Sequence, residues 1–283
     1  DALFETVSGL TTTGASILTD VEALPKSLLF WRSLTQWLGG MGIMALFIAI
    51  IVGLGVRANQ IFRAEVPGPV SNKISPRVRD TARSLWLTYV VMSGVLFLLL
   101  WAFGMDIFDS LCHTFSTMAT GGFSTKNQSI GYYSSPYIQW TITLFMFLAG
   151  ANFALHYMVY KKKTIYQYWK DKEFKLYSFI IIVSSIITFF GILNISSGEE
   201  KIRAAFFQVV SIITTTGYAT ADFDLWAPMG KGILLLLMFV GACAGSTAGG
   251  IKVGRYLIML QRGKIELQQM VHPKAIIPLR LGD

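Results

Sequence analysis

The sequence predicts an all-α membrane protein built from tandem helix, pore helix, filter loop, helix repeats. Three observations predict it. The chain is apolar in lengths that fit a bilayer, its basic loops fall at alternate ends of those lengths, and a Thr/Gly segment recurs three times behind a short apolar stretch.

Of the 283 residues 53% are hydrophobic and only 14% charged, with a mean hydropathy of +0.53. That is too apolar for an ordinary soluble domain. Residues 38–56, 85–103, 138–160, 176–193 and 232–251 are each apolar over roughly the 20 residues that a helix needs to cross a hydrocarbon core. Five spans follow. The two cysteines, Cys112 and Cys243, lie inside apolar segments without metal-ligand spacing, which excludes a disulfide framework and a zinc site and leaves packing as their role.

The formal charge of +8 is not spread evenly. Eighteen of the 24 basic residues lie in residues 57–83, 161–175 and 252–280, the pattern of cytoplasmic loops under the positive-inside rule. The other connections carry ten of the sixteen acids, among them Asp20, Glu22, Asp106, Asp109, Glu199, Glu200, Asp222 and Asp224. An acidic outer face suits the entry of cations, and the loop pattern argues against nucleic acid as a partner. Between successive basic loops lie two long spans and one short segment, 108–119 or 203–213. A dozen residues cannot cross, so each is expected to be a re-entrant helix, buried in protein or lining a watery cavity.

These short segments are copies of one another. Leu3 to Gly14 matches Phe206 to Gly217 at most positions, with an identical Thr-Thr-Thr-Gly run. The middle copy, Leu111 to Gly122, aligns on its second glycine, which pairs Ser116 with Ser211, His113 with Gln208 and Phe123 with Tyr218. Behind each glycine, about 25 to 28 residues on, the next span carries small residues: Gly39-Gly40-Met41-Gly42, Ala149-Gly150-Ala151-Asn152 and Gly241 to Gly245. Small residues let a neighbouring pore loop approach closely. The repeats divide the chain into 1–60, 85–160 and 176–262, joined by cytoplasmic loops at 61–84 and 161–175 and followed by 263–283.

To strip a potassium ion of water, a protein must point a row of backbone carbonyls at a narrow axis. Glycine turns its carbonyl there because it visits positive φ freely. Thr12-Thr13-Gly14, Thr120-Gly121-Gly122-Phe123 and Thr215-Thr216-Gly217-Tyr218 read as degenerate versions of the Thr-Val-Gly-Tyr-Gly channel loop. These nine Thr and Gly residues are the expected ion ligands. A short helix in front of each would aim its negative C-terminal end at the same axis.

Together with Gln36-Trp37-Leu38-Gly39-Gly40-Met41-Gly42, Asn152 to Tyr157 and Ala244 to Lys252, these motifs carry a resemblance over essentially the whole chain to the Trk/Ktr/HKT potassium transporter superfamily, closest to the bacterial TrkH-type subunit. The resemblance implies four such repeats around one pore, a homodimer, a cytoplasmic TrkA-type nucleotide-binding regulatory ring, and a multi-pass place in the bacterial inner membrane. Potassium would be the transported ion, with no organic cofactor and no enzymatic activity. It also implies that the first outer helix, the fourth filter and a pore-facing arginine fall outside these residues. In resembling plant proteins serine at the first filter glycine goes with sodium transport; Gly14 therefore favours potassium over a mixed Na+/K+ pathway.

The glycine-rich stretch Gly241, Ala242, Gly245, Ser246, Thr247, Gly249 and Gly250 loses helix stability at about 1 kcal/mol per glycine, which predicts an unwound segment in the third inner helix. By resemblance it is an intramembrane gate loop. Lys252 behind it either faces the ion path or snorkels to the cytoplasmic interface. His113 is expected to anchor a filter by hydrogen bonding, His156 and Asn152 to bond between helices, and the tyrosines and tryptophan between 157 and 169 to form an interfacial belt. An intramembrane serine protease fails because Ala244 stands where the nucleophile motif needs glycine. A broken-helix transporter of another solute would lack a short helix followed by Thr/Gly in every unit.

Overall fold

The fold is that of a computed structural model, which describes residues 1–54, 78–193, 195 and 197–271, and the side chains of all of these except 43–54, 78–82 and 271. Most of the first basic stretch, and Lys274 and Arg280 of the third, lie outside the described residues.

Three units follow one another. In the first, α1 (Ala2–Leu10) leads through a loop into α2 (Lys26–Leu54). The second contains α3 (Val78–Ala102), the short α4 (Ile107–Met118), α5 (Pro136–Ala149) and α6 (Phe153–Lys162). After the small α7 (Tyr166–Lys170), the third runs through α8 (Lys172–Gly191), α9 (Gly198–Ile213), α10 (Pro228–Leu237) and α11 (Val253–Val271). Between α10 and α11 two-residue strands, β1 (Val240–Gly241) and β2 (Ile251–Lys252), pair in parallel, a small non-helical element within the expected unwound segment.

Sequence chemistry sets the boundaries. Asp106, Asn152, Asp171 and Ser197 cap α4, α6, α8 and α9 by accepting from a backbone N–H in the first turn, each worth about 1 kcal/mol. Proline occupies the first turn of α5 and α10, where its missing N–H costs nothing. The inward face of α8 mixes Phe174, Tyr177 and Ile181 with Ser184, Ser185 and Thr188, whereas Phe179, Ile182, Ile186 and Phe190 face out. On α3, Trp86, Leu87, Val91, Leu98 and Trp101 are likewise exposed. Outward apolar faces of this extent suit lipid rather than water. Residues 83–102 and 172–191 are each one helix long and apolar enough to cross a membrane.

One expected span is corrected. Residues 138–160 do not form a continuous helix: α5 and α6 meet at an angle of 97°. Asn152 starts α6 afresh by accepting from Ala154 N at 2.8 Å. The carbonyls freed at the corner are satisfied by another segment, with Cys243 N donating to Gly150 O at 2.9 Å and Thr247 N to Ala149 O at 3.4 Å. A break at membrane depth persists where such partners exist.

Candidate ion filter and intramembrane loop

Each short helix ends where a loop begins, and the three loops share one backbone. One residue past the C-caps Thr11, Ala119 and Thr214, a threonine turns left-handed: φ is +53° at Thr12, +52° at Thr120 and +56° at Thr215. Two residues later a glycine does the same, at +74° for Gly14, +78° for Gly122 and +82° for Gly217. Positive φ costs a non-glycine residue about 1–3 kcal/mol, so its recurrence at three equivalent threonines marks a backbone held for a purpose. In every copy the intervening N–H reaches back into the helix, from Thr13 to Ser8 O, Gly121 to Ser116 O and Thr216 to Ser211 O, each at 2.9 Å. The middle copy is thereby in register on Gly122.

The loops touch. A Cβ on Gly14 would overlap the carbonyl oxygen of Gly121, and one on Gly122 the carbonyl oxygen of Thr216; beside Gly217 no described atom lies within 4 Å of that position. Repeats one, two and three therefore follow one another around a turn, each glycine set against the preceding carbonyl of the next loop. Tyr218 Oη donates to Phe123 O at 3.2 Å, and Gly131 N to Ala219 O at 3.0 Å, binding the third loop to the second. The small residues behind the loops serve close approach: a Cβ on Gly39 would strike Leu10 backbone, one on Gly40 the α-carbon of Ala119, and one on Gly150 the Thr214 methyl.

Polar side chains hold the loops from behind. Glu5 Oε1 accepts from Ser16 Oγ at 2.8 Å and Ile17 N at 2.9 Å. Its equivalent His113 is fully buried; Nδ1 donates to Asp109 O at 2.8 Å, which leaves Nε2 to accept from Ser124 Oγ at 3.0 Å. His113 is thus a hydrogen-bond anchor behind the second loop. In the third copy Gln208 is buried at the same place, but Ala219 replaces the serine.

Several supporting residues had no role in the sequence reading. Gln36, wholly buried in α2, donates from Nε2 to Gly121 O at 2.7 Å and accepts from Phe123 N at 3.2 Å, so the first repeat's inner helix braces the second repeat's loop. Arg32 pairs with Glu5 at 2.9 Å and lies 4.0 Å from the centre of the Phe123 ring. A polar residue inside an apolar helix was the available signal; its partner, some 85 residues away, was not.

Below the loops runs the segment from Val240 to Lys252. Thr247 Oγ1 donates to Met118 O at 3.1 Å and stands 3.3 Å from Thr120 Oγ1. Gly249 N donates to Thr215 Oγ1 at 2.7 Å. Gly245 O accepts from Phe153 N at 3.1 Å, fitting the segment into the α5–α6 corner. Gly241 packs against Gly249 and Gly250 where the strands pair, and Ala242 is fully buried. Ser246 Oγ donates to Cys243 O at 2.6 Å. Lys252 is 7% exposed and does not snorkel: its ammonium donates to Ala248 O and stands 3.5 Å from Ser246 Oγ, within the segment itself. His156 bonds Leu148 O through Nε2 at 2.8 Å and Tyr168 Oη through Nδ1 at 2.6 Å, while Asn152 is a helix cap rather than a partner facing the same way. Tyr160, Tyr166 and Trp169 are exposed as belt residues would be; Tyr168 is half-buried.

Residues 1–283, the whole sequence, match the family model of TrkH, a cation transport protein. The chain belongs to that family. It is 43% identical over 289 residues to the Trk system potassium uptake protein TrkH of Escherichia coli K12 and 40% identical over 288 residues to that of Vibrio parahaemolyticus, covering all of this chain and 59% of each relative. The E. coli K12 protein TrkG is 38% identical over 285 residues. The crystal structure of the potassium transporter TrkH from Vibrio parahaemolyticus superposes with a TM-score of 0.85 at 37% identity, over the whole of this chain and 58% of that one. The chain thus spans about six-tenths of the length of these TrkH family members, and its all-α repeat architecture is theirs.

Proposed function

We propose that the protein to which this chain belongs carries potassium across the bacterial inner membrane, and that the three loops form part of its selectivity filter. The observation that carries the reading is the threefold recurrence of left-handed threonine and left-handed glycine at the ends of three short helices, in loops that touch one another. Backbone carbonyls of Thr12, Thr13, Gly14, Thr120, Gly121, Gly122, Thr215, Thr216 and Gly217 supply oxygen ligands that replace the ion's water. The C-terminal ends of α1, α4 and α9 add negative potential at the same place. Gly121 differs from its counterparts in that its carbonyl is already bonded to Gln36.

The segment containing Gly241, Ala242, Gly245, Ser246, Thr247, Gly249, Gly250 and Lys252 is the gate. Its support is the direct bonding of Thr247 and Gly249 to threonines at the base of two filter loops. The relatives are named as parts of a potassium uptake system, which supports partner subunits in general; the partners we propose are a second copy of the protein and a nucleotide-binding regulatory ring on the basic cytoplasmic loops.

The test is ion flux into liposomes bearing the full-length protein. Potassium should enter faster than sodium, and Gly122→Ser should erode that preference. Equal potassium and sodium entry in the parent would replace this reading with a mixed Na+/K+ pathway. Absence of any cation flux, with uptake of another solute, would overturn it.

A further inference from the structure

Glu173 belongs to none of the motifs, yet it fastens the intramembrane segment at both ends. It is the second residue of α8, following the N-cap Asp171, whose side chain accepts from Phe174 N at 2.7 Å. One oxygen, Oε1, accepts from Ala244 N at 2.8 Å and from Gly254 N at 2.7 Å. Ala244 lies just past β1 and Gly254 in the first turn of α11, so a single carboxylate closes the loop between them. Among the described residues Glu173 forms no close ion pair, though Lys252 acts on it electrostatically, and the loop amides are its hydrogen-bonded partners.

The carboxylate also stands on the lysine-rich corner. Phe174 packs on Tyr168 with ring centres 4.9 Å apart, and Tyr168 bonds His156, which bonds Leu148 O. The next two carbonyls, of Ala149 and Gly150, accept from Thr247 and Cys243. The corner from Lys161 to Lys175 thus touches the loop at its ends through Glu173 and at its middle through the α5–α6 break.

We propose that Glu173 is the positioning residue that holds the intramembrane loop closed beneath the filter. The proposal rests on the reading of that loop as the gate. Without the carboxylate the two ends of the loop lose their common anchor, and the closed state loses weight against open ones.

The experiment measures potassium flux in liposomes carrying the full-length protein without any cytoplasmic partner. Glu173→Ala should raise flux about ten-fold, the scale of leaving a buried amide without its acceptor. Gly254→Ala should also raise it, because a Cβ there would stand 2.9 Å from Glu173 Oε1 and push the carboxylate off. Glu173→Gln keeps an acceptor oxygen and should stay near the parent. The ratio of potassium to sodium flux should not change in any of them. Hydrogen exchange at residues 244–254 should accelerate in the first two variants and not in the third. Parental flux and parental exchange in Gly254→Ala and in folded Glu173→Ala would overturn the proposal, as would Glu173→Gln behaving like alanine. Deletion of Gly241–Gly250 separates the two ideas: raised flux there with parental flux in the point variants sinks the latch alone, whereas parental flux in the deletion sinks the gate itself.

Discussion

The backbone N–H of Gly249 donates a 2.7 Å hydrogen bond to the hydroxyl of Thr215, the left-handed threonine of the third filter loop. Filter and loop are therefore one hydrogen-bonded structure rather than two layers separated by water. In the proposed gating, movement of the loop breaks that bond, and Thr215 contributes to the cost of opening.

Thr215→Val should weaken the closed state, because the N–H of Gly249 loses its acceptor at a cost of about 1–3 kcal/mol. Flux through the full-length protein should rise several-fold, and Thr215→Ser, which keeps the hydroxyl, should not raise it. Equal flux in the valine and serine variants would remove Thr215 from the gating step.

Gly14→Ser should lower the preference for potassium over sodium. Its backbone sits at φ +74°, and its new Cβ would overlap the Gly121 carbonyl. The adjoining loop has to shift, and the spacing of oxygen ligands shifts with it. Relative permeability measured under bi-ionic conditions checks this; an unchanged ratio would take Gly14 out of the filter.

Gln36→Leu strands two partners at once, Gly121 O and Phe123 N, in a place without water-accessible surface on Gln36. A loss of about 2–4 kcal/mol is expected from two unsatisfied buried groups. Thermal unfolding in detergent should show a clear drop in midpoint, larger than for Asn127→Ala on the outer surface.

On that outer surface Asn127 Nδ2 donates to Asp20 at 2.8 Å and holds its carboxyl below the usual carboxylate range. Asn127 Oδ1 in turn accepts from Val21 N at 2.7 Å, which clasps the first repeat's outer loop to the second. Because the folded value is lowered, the clasp is intact above the ordinary carboxylate range and is lost as pH falls through the lowered value. Relative to its intrinsic exchange rate at each pH, the Val21 amide should stay protected at pH 5 and lose protection in stronger acid; in Asn127→Ala it should lack protection at both.

Cysteines introduced at 163 and 264 should resist impermeant thiol reagents applied outside intact cells, since the positive-inside rule predicts a cytoplasmic face for the basic loops. Labelling at either would invert the topology.

The sequence by itself determined the class of the protein, its tandem repeats and the alignment of the middle copy on Gly122. Those conclusions rest on local properties: apolar length, charge at span ends and the unique freedom of glycine each leave a periodic trace in the chain. Unwinding between Gly241 and Gly250 was legible for the same reason, as local propensity. Only the tertiary structure decided the 97° break at Gly150 to Asn152, because that corner survives only where Cys243 and Thr247, almost a hundred residues away, donate to its freed carbonyls. Gln36 and Glu173 were hidden likewise. A buried polar side chain is explained by the group it bonds, and in this fold that group belongs to a different repeat or to a distant loop, which no spacing along the chain records.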